Sequence, residues 1–387
     1  MNGSNAHPSD VNSPDFDIAI CGAGPVGMAL ALLLVQRGLP AARIALIDAK
    51  PLAVAAADPR SIALAHGSAQ ILQGIGAWPV PATAIHQIHV SRRGQFGRTL
   101  IRCEEHDLPA LGYVTRYGAL ATALGGLISA SALHALRPQT VTALNESADR
   151  VTVQFADGHA ISAGIVVQAE GGSLTDRTAQ HDYQQSALVA HVTASAPIPH
   201  RAFERFTDEG PLALLPQDDG YALVWCARPD SVADLLALPQ DAFLARLGQA
   251  FGTRLGSFTT VSARHAFPLL RNDGPATTAR TVAIGNAAQT LHPVAGQGLN
   301  LGLRDALVLA AHLGRASSPE QLRAFMRERA GDRSTTIRLT DSLARVFASA
   351  PAGAWSQTLL GASLGMVDVL QPAKRALAEQ MMFGRRG

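Results

Sequence analysis

Cysteine is scarce in this 387-residue sequence: there are 3, at Cys21, Cys103 and Cys226, far apart and without C-x-x-C spacing. That excludes a disulfide framework and a structural zinc site, and it fits a reducing, cytoplasmic setting. Lysine is scarcer still, at Lys50 and Lys374, although arginine brings the basic total to 32 against 30 acidic residues. A net charge of +2 makes no field that would draw a polyanion, so no nucleic-acid partner is expected. Long apolar runs are missing as well. The longest near the start, Met28 to Val35, is far shorter than the roughly 20 residues a membrane-spanning helix needs. Residues 1–15 are polar, rich in Asn, Ser and Pro, and lack the regions of a signal peptide, so a disordered tail is expected there. No histidine cluster has metal-ligand spacing, and no metal is expected. What the chain has is apolar mass: 47% hydrophobic against 16% charged residues, ample for a core and long enough for two or three domains.

The first fifty residues read as one βαβ unit. Asp17 to Cys21 is a short apolar strand, a Gly-rich turn follows, Met28 to Gln36 is helical and closes at Gly38, and Arg43 to Ile47 is a second buried strand ending in Asp48. A parallel sheet starts here. Short strands are expected at Gln87 to Ser91 and Gly97 to Cys103, and a helix from Gly118 to Ser131. The alternation Val151, Val153, Phe155, then Asp157-Gly158, then Ile161 is a hairpin signal, with Ile165 to Ala169 following as another buried strand. Strand-like runs between Ala187 and Pro268, with one helix from Asp241 to Phe251, form an antiparallel sheet inserted into the first domain. Thr281 to Gly285 restores the parallel-strand pattern before a helix from Gly298 to Leu313. The remainder has helical periodicity and no strand signal.

Two motifs carry chemistry. Gly22-Ala-Gly24-Pro-Val-Gly27 lies between strand and helix, and Asp48 ends the next strand about 20 residues on, the dinucleotide-binding spacing. Gly22 allows the tight turn, Gly24 lets backbone amides approach a pyrophosphate, Gly27 permits close helix packing, and Asp48 can accept from ribose hydroxyls. FAD and NAD share this fingerprint. The second motif runs from Gly285 to Asp305. Its glycines Gly285, Gly296, Gly298 and Gly302 let backbone approach a flat ligand, and the amides of Gly298, Leu299 and Asn300 form a helix start suited to an anionic reduced flavin.

The run Gly285-Asn-Ala-Ala-Gln-Thr-Leu-His-Pro293 through Asp305 resembles the second FAD-binding motif of the class A flavoprotein aromatic hydroxylases, in their ubiquinone-biosynthesis branch. Asp58-Pro-Arg60-Ser-Ile-Ala-Leu64, Arg201 to Thr207, Gly210 to Pro216, Val224-Trp-Cys226 and Thr340 to Leu343 agree with it. The resemblance implies a Rossmann-like α/β FAD-binding domain built from discontinuous segments (16–80, 112–180 and 274–330), a mainly antiparallel substrate domain (81–111 and 181–273) and a C-terminal helical region (331–387). It implies non-covalent FAD, NADPH or NADH as co-substrate, and O2 converted to a flavin hydroperoxide that hydroxylates a prenylated phenol of the 2-polyprenyl-6-methoxyphenol type. On this resemblance Arg60, Arg116 and Asn286 lie at the ribityl and phosphate region, and Pro293, Gly298, Leu299 and Asn300 face the isoalloxazine. Two departures stand out: Glu170 with Gly171, Ser173 and Arg177 replaces an Asp-Gly motif, and Asn286 replaces Asp.

No residue stands out as general base. His292 either orients substrate and assists proton release or is a hydrogen-bonded structural histidine. Arg201 and Arg205, alternating with Phe203, read first as a solvated strand face and second as a substrate contact, and Cys226 as buried packing. A lipid substrate implies a peripheral contact with a membrane or a ubiquinone-synthesis complex. The apolar residues Trp355, Leu359, Leu360, Leu364, Met366 and Val369 beside Lys374 and Arg375 read first as an ordinary core helix and second as an interfacial surface. Two rivals stay open: a hydroxylase of a soluble aromatic catabolite, and a non-catalytic FAD-holding subunit. The oligomeric state is not legible.

Overall fold

The computed structural model describes residues 13–94, 98–170, 180–272, 277–289 and 297–348, with 379, 382 and 383. In chain order its first elements are β1 (Phe16–Cys21), α1 (Pro25–Gln36), β2 (Ile44–Ile47), α2 (Leu52–Ala56), β3 (Ser61–Ala65), α3 (His66–Gly74), β4 (Ala82–Ile85), β5 (Gln87–Arg92) and β6 (Arg98–Arg102). Next are β7 (Gly112–Arg116), α4 (Tyr117–Ser129), β8 (His134–Leu136), β9 (Val141–Glu146), β10 (Val151–Phe155), β11 (Ala160–Gln168), β12 (Gln180–Ala194) and β13 (Arg201–Phe206). The last are β14 (Pro211–Gln217), β15 (Gly220–Ala227), α5 (Pro229–Ala237), α6 (Gln240–Phe251), β16 (Phe258–Val261), β17 (His265–Asn272), β18 (Thr281–Ala283), α7 (Gln297–Leu313) and α8 (Pro319–Ala348).

The nucleotide sheet is built from strands buried on both faces. In β1, Ile18 and Ile20 face a helical layer while the smaller Ala19 and Cys21 face the other way; β2 repeats this with Ile44 and Leu46 against Ala45 and Ile47. The larger side chains pack under α1, α4 and α7, and the smaller ones lie beneath the curled ribbon of β9 and β10. The strand order is β8-β2-β1-β11-β10-β9, and β18 shares an edge of β11. The pairings of β8, β2, β1, β11 and β18 are parallel. The hairpin at Asp157-Gly158 is present, but Ile165 to Ala169 does not begin a separate strand. β11 is continuous: its first residues pair antiparallel with β10 and its last ones parallel with β1 and β18.

A second sheet has the order β16-β12-β15-β14-β13-β5-β6, with β17 also on β12. It is antiparallel except for β13 beside β5. One face is covered by α5 and α6 through Phe203, Leu212, Tyr221, Trp225, Phe243 and Phe251. The solvated face expected around Arg201 and Arg205 is therefore absent. Phe203 is in this core, Arg201 donates to Gln87 Oε1, and Arg205 Nε donates to Ala250 O at 3.1 Å, because the following helix folds back over them. A small sheet, β3-β7-β4, joins the two larger ones and left no clear strand signal in the sequence. The architecture is thus α/β with an antiparallel sheet and a helical region following the second glycine-rich segment. All three cysteines are free and buried.

Charge is buried where α7 meets α8. Asp305, with no exposed surface, accepts from Gly285 N at 3.2 Å, Arg329 Nε at 2.8 Å and Arg333 Nη2 at 2.9 Å. Removing one partner of a buried ionic network strands the others, at a cost of about 3–5 kcal/mol. D305A should lose stability on that scale in urea unfolding; a loss under about 1 kcal/mol would mean that the arginines find other acceptors.

Candidate cofactor and active site

The two glycine-rich segments meet. Gly22 has φ +107°, and a Cβ there would lie 2.6 Å from Glu170 N and from the Ala169 carbonyl carbon; a Cβ on Gly27 would lie 1.9 Å from Gly22 O. Both positions therefore require glycine: one by conformation and contact, the other by contact alone. The turn leads into α1 with Gly24 as N-cap, Pro25 in the first turn and no side chain capping the first amides. Those amides are open to an anion, and the helix dipole adds to them. From the second segment, Gly302 lies against this turn, where a Cβ would be 2.7 Å from Val26 Cγ2 and 3.1 Å from Gly285 Cα. Gly302 thus serves the close packing of α7 on α1, and Gly285, at φ +60°, faces it there.

Asp48 sits at the end of β2. Its Oδ2 accepts from Ala23 N at 2.8 Å and its Oδ1 from Lys50 N at 2.8 Å, so it braces the turn as well as facing it. Glu170, at the end of β11, is the second carboxylate here. Burial, and after it the Asp48 charge, push it up to about 7. Tyr117 was not singled out from sequence. Its Oη lies 3.4 Å from where a Gly24 Cβ would be, and its ring carries the Arg60 guanidinium at 5.3 Å. Arg60 is also ion-paired with Asp58 at 2.6 Å and lies 5.9 Å from the ring centre of Phe267, an exposed aromatic. Arg116 pairs with Asp218 at 2.6 Å. The only sequence signal for Tyr117 is its place directly after Arg116.

After β18, Asn286 is exposed and its Oδ1 lies 3.3 Å from the Cβ position of Gly298, in the first turn of α7, so these two candidate residues are brought together. The Asn300 side chain is buried and holds β3, donating to Ala63 O at 3.0 Å and accepting from Ala65 N at 2.8 Å. Leu299 packs against the helical core. His292, Pro293 and Gly296 lie outside the described residues, as do Gly171, Ser173, Arg177 and the stretch from Trp355 to Arg375. Among the described residues no group of metal-ligating side chains occurs, and no helix is long and apolar enough to cross a membrane.

The residues fit an FAD. A turn that only glycine can make opens onto uncapped helix amides, a carboxylate ends the neighbouring strand, and a second glycine-rich helix start lies against the first. G27A should abolish retention of flavin, read as absorbance near 450 nm per protein after reconstitution. G126A, in α4 with open space around it, should leave retention unchanged. Glu170 gives a pH signature. Its folded value lies above the ordinary 4.5, so its contribution to stability is present below that and is lost as pH rises through about 7. E170Q should match the unmodified protein near pH 5 and melt higher near pH 8; the same pH dependence in both would clear Glu170 of the effect.

Residues 15–331 match the FAD binding domain family. The chain is 32% identical to ubiquinone hydroxylase UbiL of Rhodospirillum rubrum, over 95% of this chain and 89% of that protein. It is 32% identical to 3-demethoxyubiquinol 3-hydroxylase of Escherichia coli K12, over 75% and 77%. Among solved structures, p-nitrophenol 4-monooxygenase PnpA of Pseudomonas putida DLL-E4 superposes with a TM-score of 0.75, covering 96% of this chain and 99% of that one at 16% identity. HpxO of Klebsiella pneumoniae, complexed with FAD and uric acid, gives 0.73 at 14% identity, covering 96% and 99%. At those identities the likeness is one of fold. The family match over most of the length and the two relatives above 30% identity lead to one conclusion: the chain belongs to the FAD binding domain family, within the FAD-dependent aromatic monooxygenases.

Proposed function

We propose that this protein is an FAD-dependent monooxygenase that uses NADPH or NADH and O2 to hydroxylate a polyprenylated phenol, of the 2-polyprenyl-6-methoxyphenol type, in ubiquinone biosynthesis. The observation that carries this reading is the 32% identity to a ubiquinone hydroxylase along 95% of the chain. When bound, FAD supplies the reduction of O2 and the transfer of one oxygen atom to the ring. The turn from Gly22 to Gly27 and the first amides of α1 hold the pyrophosphate, and Asp48 accepts from the ribose with the lone pairs that Ala23 N and Lys50 N leave free.

Asn286 and the amides of Gly298, Leu299 and Asn300 take the far end of the cofactor, where a helix start favours the negative charge of its reduced form. Asn300 fixes that helix start to β3, which carries Arg60 at its entrance. Arg60, held by Asp58 and flanked by Tyr117 and Phe267, and Arg116 line the ribityl and phosphate side. His292 and Pro293 are assigned to the ring-facing side of the same motif. A lipid substrate calls for a peripheral contact with a membrane or with other enzymes of quinone synthesis.

The test is spectroscopic. Purified protein should show flavin bands that bleach on anaerobic addition of NADPH and return with oxygen, yielding a hydroxylated product from a short-chain 2-prenyl-6-methoxyphenol. No flavin after reconstitution would defeat the mechanism. Flavin that cycles without product would defeat the substrate assignment and favour a soluble aromatic.

A further inference from the structure

Strand β13 has two faces. Arg201, Phe203 and Arg205 turn towards α5 and α6; Ala202, Glu204 and Phe206 turn the other way. That second face looks towards the nucleotide-binding part of the molecule. Ala202 and Leu215 pack on Ile85 and Val114 of the small sheet, and Gln217, at the end of β14, accepts from Ser61 Oγ at 2.6 Å. Ser61 begins β3, the strand that Asn300 holds at the start of α7. One short sheet therefore joins this strand face to the helix start assigned to the flavin.

Around Glu204 the neighbouring residues of the face are apolar, with Arg92 and Gln217 farther along it. Its register partners are Ala213 on β14 and Val90 on β5, with Val224 beyond Ala213. Oε1 is buried and has no hydrogen-bond partner among the described residues. Cys226 on β15 is a thiol pushed up by burial and, after that, by Glu204. Arg92, two residues along β5 on this face, lies 4.0 Å from Asp208, and Arg201 and Arg205 are on the opposite face. A buried carboxyl oxygen without a partner weakens a fold. A phenol seated against this face would supply the missing partner.

We propose that Glu204 is a catalytic residue of the hydroxylation, its carboxylate accepting the phenolic proton of an aromatic ring seated against the apolar face of β13 and β14. This rests on the function proposed above. The phenolic O–H bond breaks, the proton forms a new O–H bond on Glu204, and the electron pair stays on the phenolate oxygen. From there it enriches the ring carbon that bonds to the transferred oxygen. The C–H bond at that carbon then breaks, its proton passing to the former phenolate oxygen as the ring regains aromaticity, and Glu204 returns its own proton to solvent. Burial raises this carboxyl to about 8, between neutrality and the value near 10 of a phenol, which suits a general base.

The experiment is a single turnover: FAD-loaded protein reduced with dithionite, then mixed with oxygen and 2-prenyl-6-methoxyphenol over a range of pH. In the unmodified protein, product formation should rise with pH and level off above about 8. E204Q should keep its FAD, form product ~100-fold more slowly at neutrality, and recover only towards pH ~10, where the phenol ionises unaided. A ring-fluorinated phenol already ionised at neutrality should shrink the E204Q deficit to within a few-fold. E204M should be as slow as E204Q and yet withstand more urea than the unmodified protein. The proposal is overturned if E204Q matches the unmodified rate and pH profile, or if both variants lose FAD or unfold, which would make Glu204 a structural residue. If the unmodified protein forms no product, the proposed function itself fails; if it does and E204Q equals it, only the role of Glu204 falls.

Discussion

The buried carboxylate of Asp305 is the point from which the cofactor region is held. It reaches Gly285 just after β18, two arginines of α8 and its own helix α7, so it joins three successive segments of the chain. Arg333 extends the junction by donating to Ala283 O at 3.2 Å, and Arg304 lies 3.3 Å from Asp332 within it. Such ion pairs are weak sources of net stability, because desolvation offsets most of the attraction. What they supply is direction. The last strand of the sheet, the glycine-rich turn after it and the following helix can meet at this carboxylate in only one arrangement.

With that junction set, the remaining constraint is closeness of backbones. Gly22, Gly27 and Gly302 each stand where a methyl group would collide with main chain or with Val26. The two turns come together because nothing protrudes between them, and the helix starts they leave are open to a ligand's negative charge. The small sheet then passes the geometry on: Asn300 fixes β3 to α7, and Ser61 ties β3 to the large antiparallel sheet. The large antiparallel sheet is thereby located relative to the glycine-rich turns by hydrogen bonds as well as by apolar packing.

Much of this could be read in advance where the signal is local. β1, the Gly turn, α1 and β2 are contiguous, and their apolar and glycine spacing specifies a strand, a turn and a helix without reference to distant residues. The same holds for the hairpin at Asp157-Gly158 and for α6. The reading failed where one segment plays two parts or where cover arrives from afar. β11 is hairpin arm and parallel strand at once, and the face bearing Arg201 and Arg205 is closed by a helix some forty residues later. Tyr117 and Glu204 left no motif, because their surroundings are assembled from strands and turns that are remote in sequence.

The sequence by itself determined the dinucleotide turn, the second glycine-rich motif and the alternation that buries the parallel strands, since each depends on side-chain size and spacing over a few residues. Tertiary structure alone decided that Gly302 serves packing, that Asp48 braces the turn it faces, that Glu170 stands beside a second carboxylate, and that Glu204 is left without a partner. For Glu204 this concerns its Oε1 alone; all are matters of proximity and desolvation. Both arise only when segments distant along the chain exclude water from the same place.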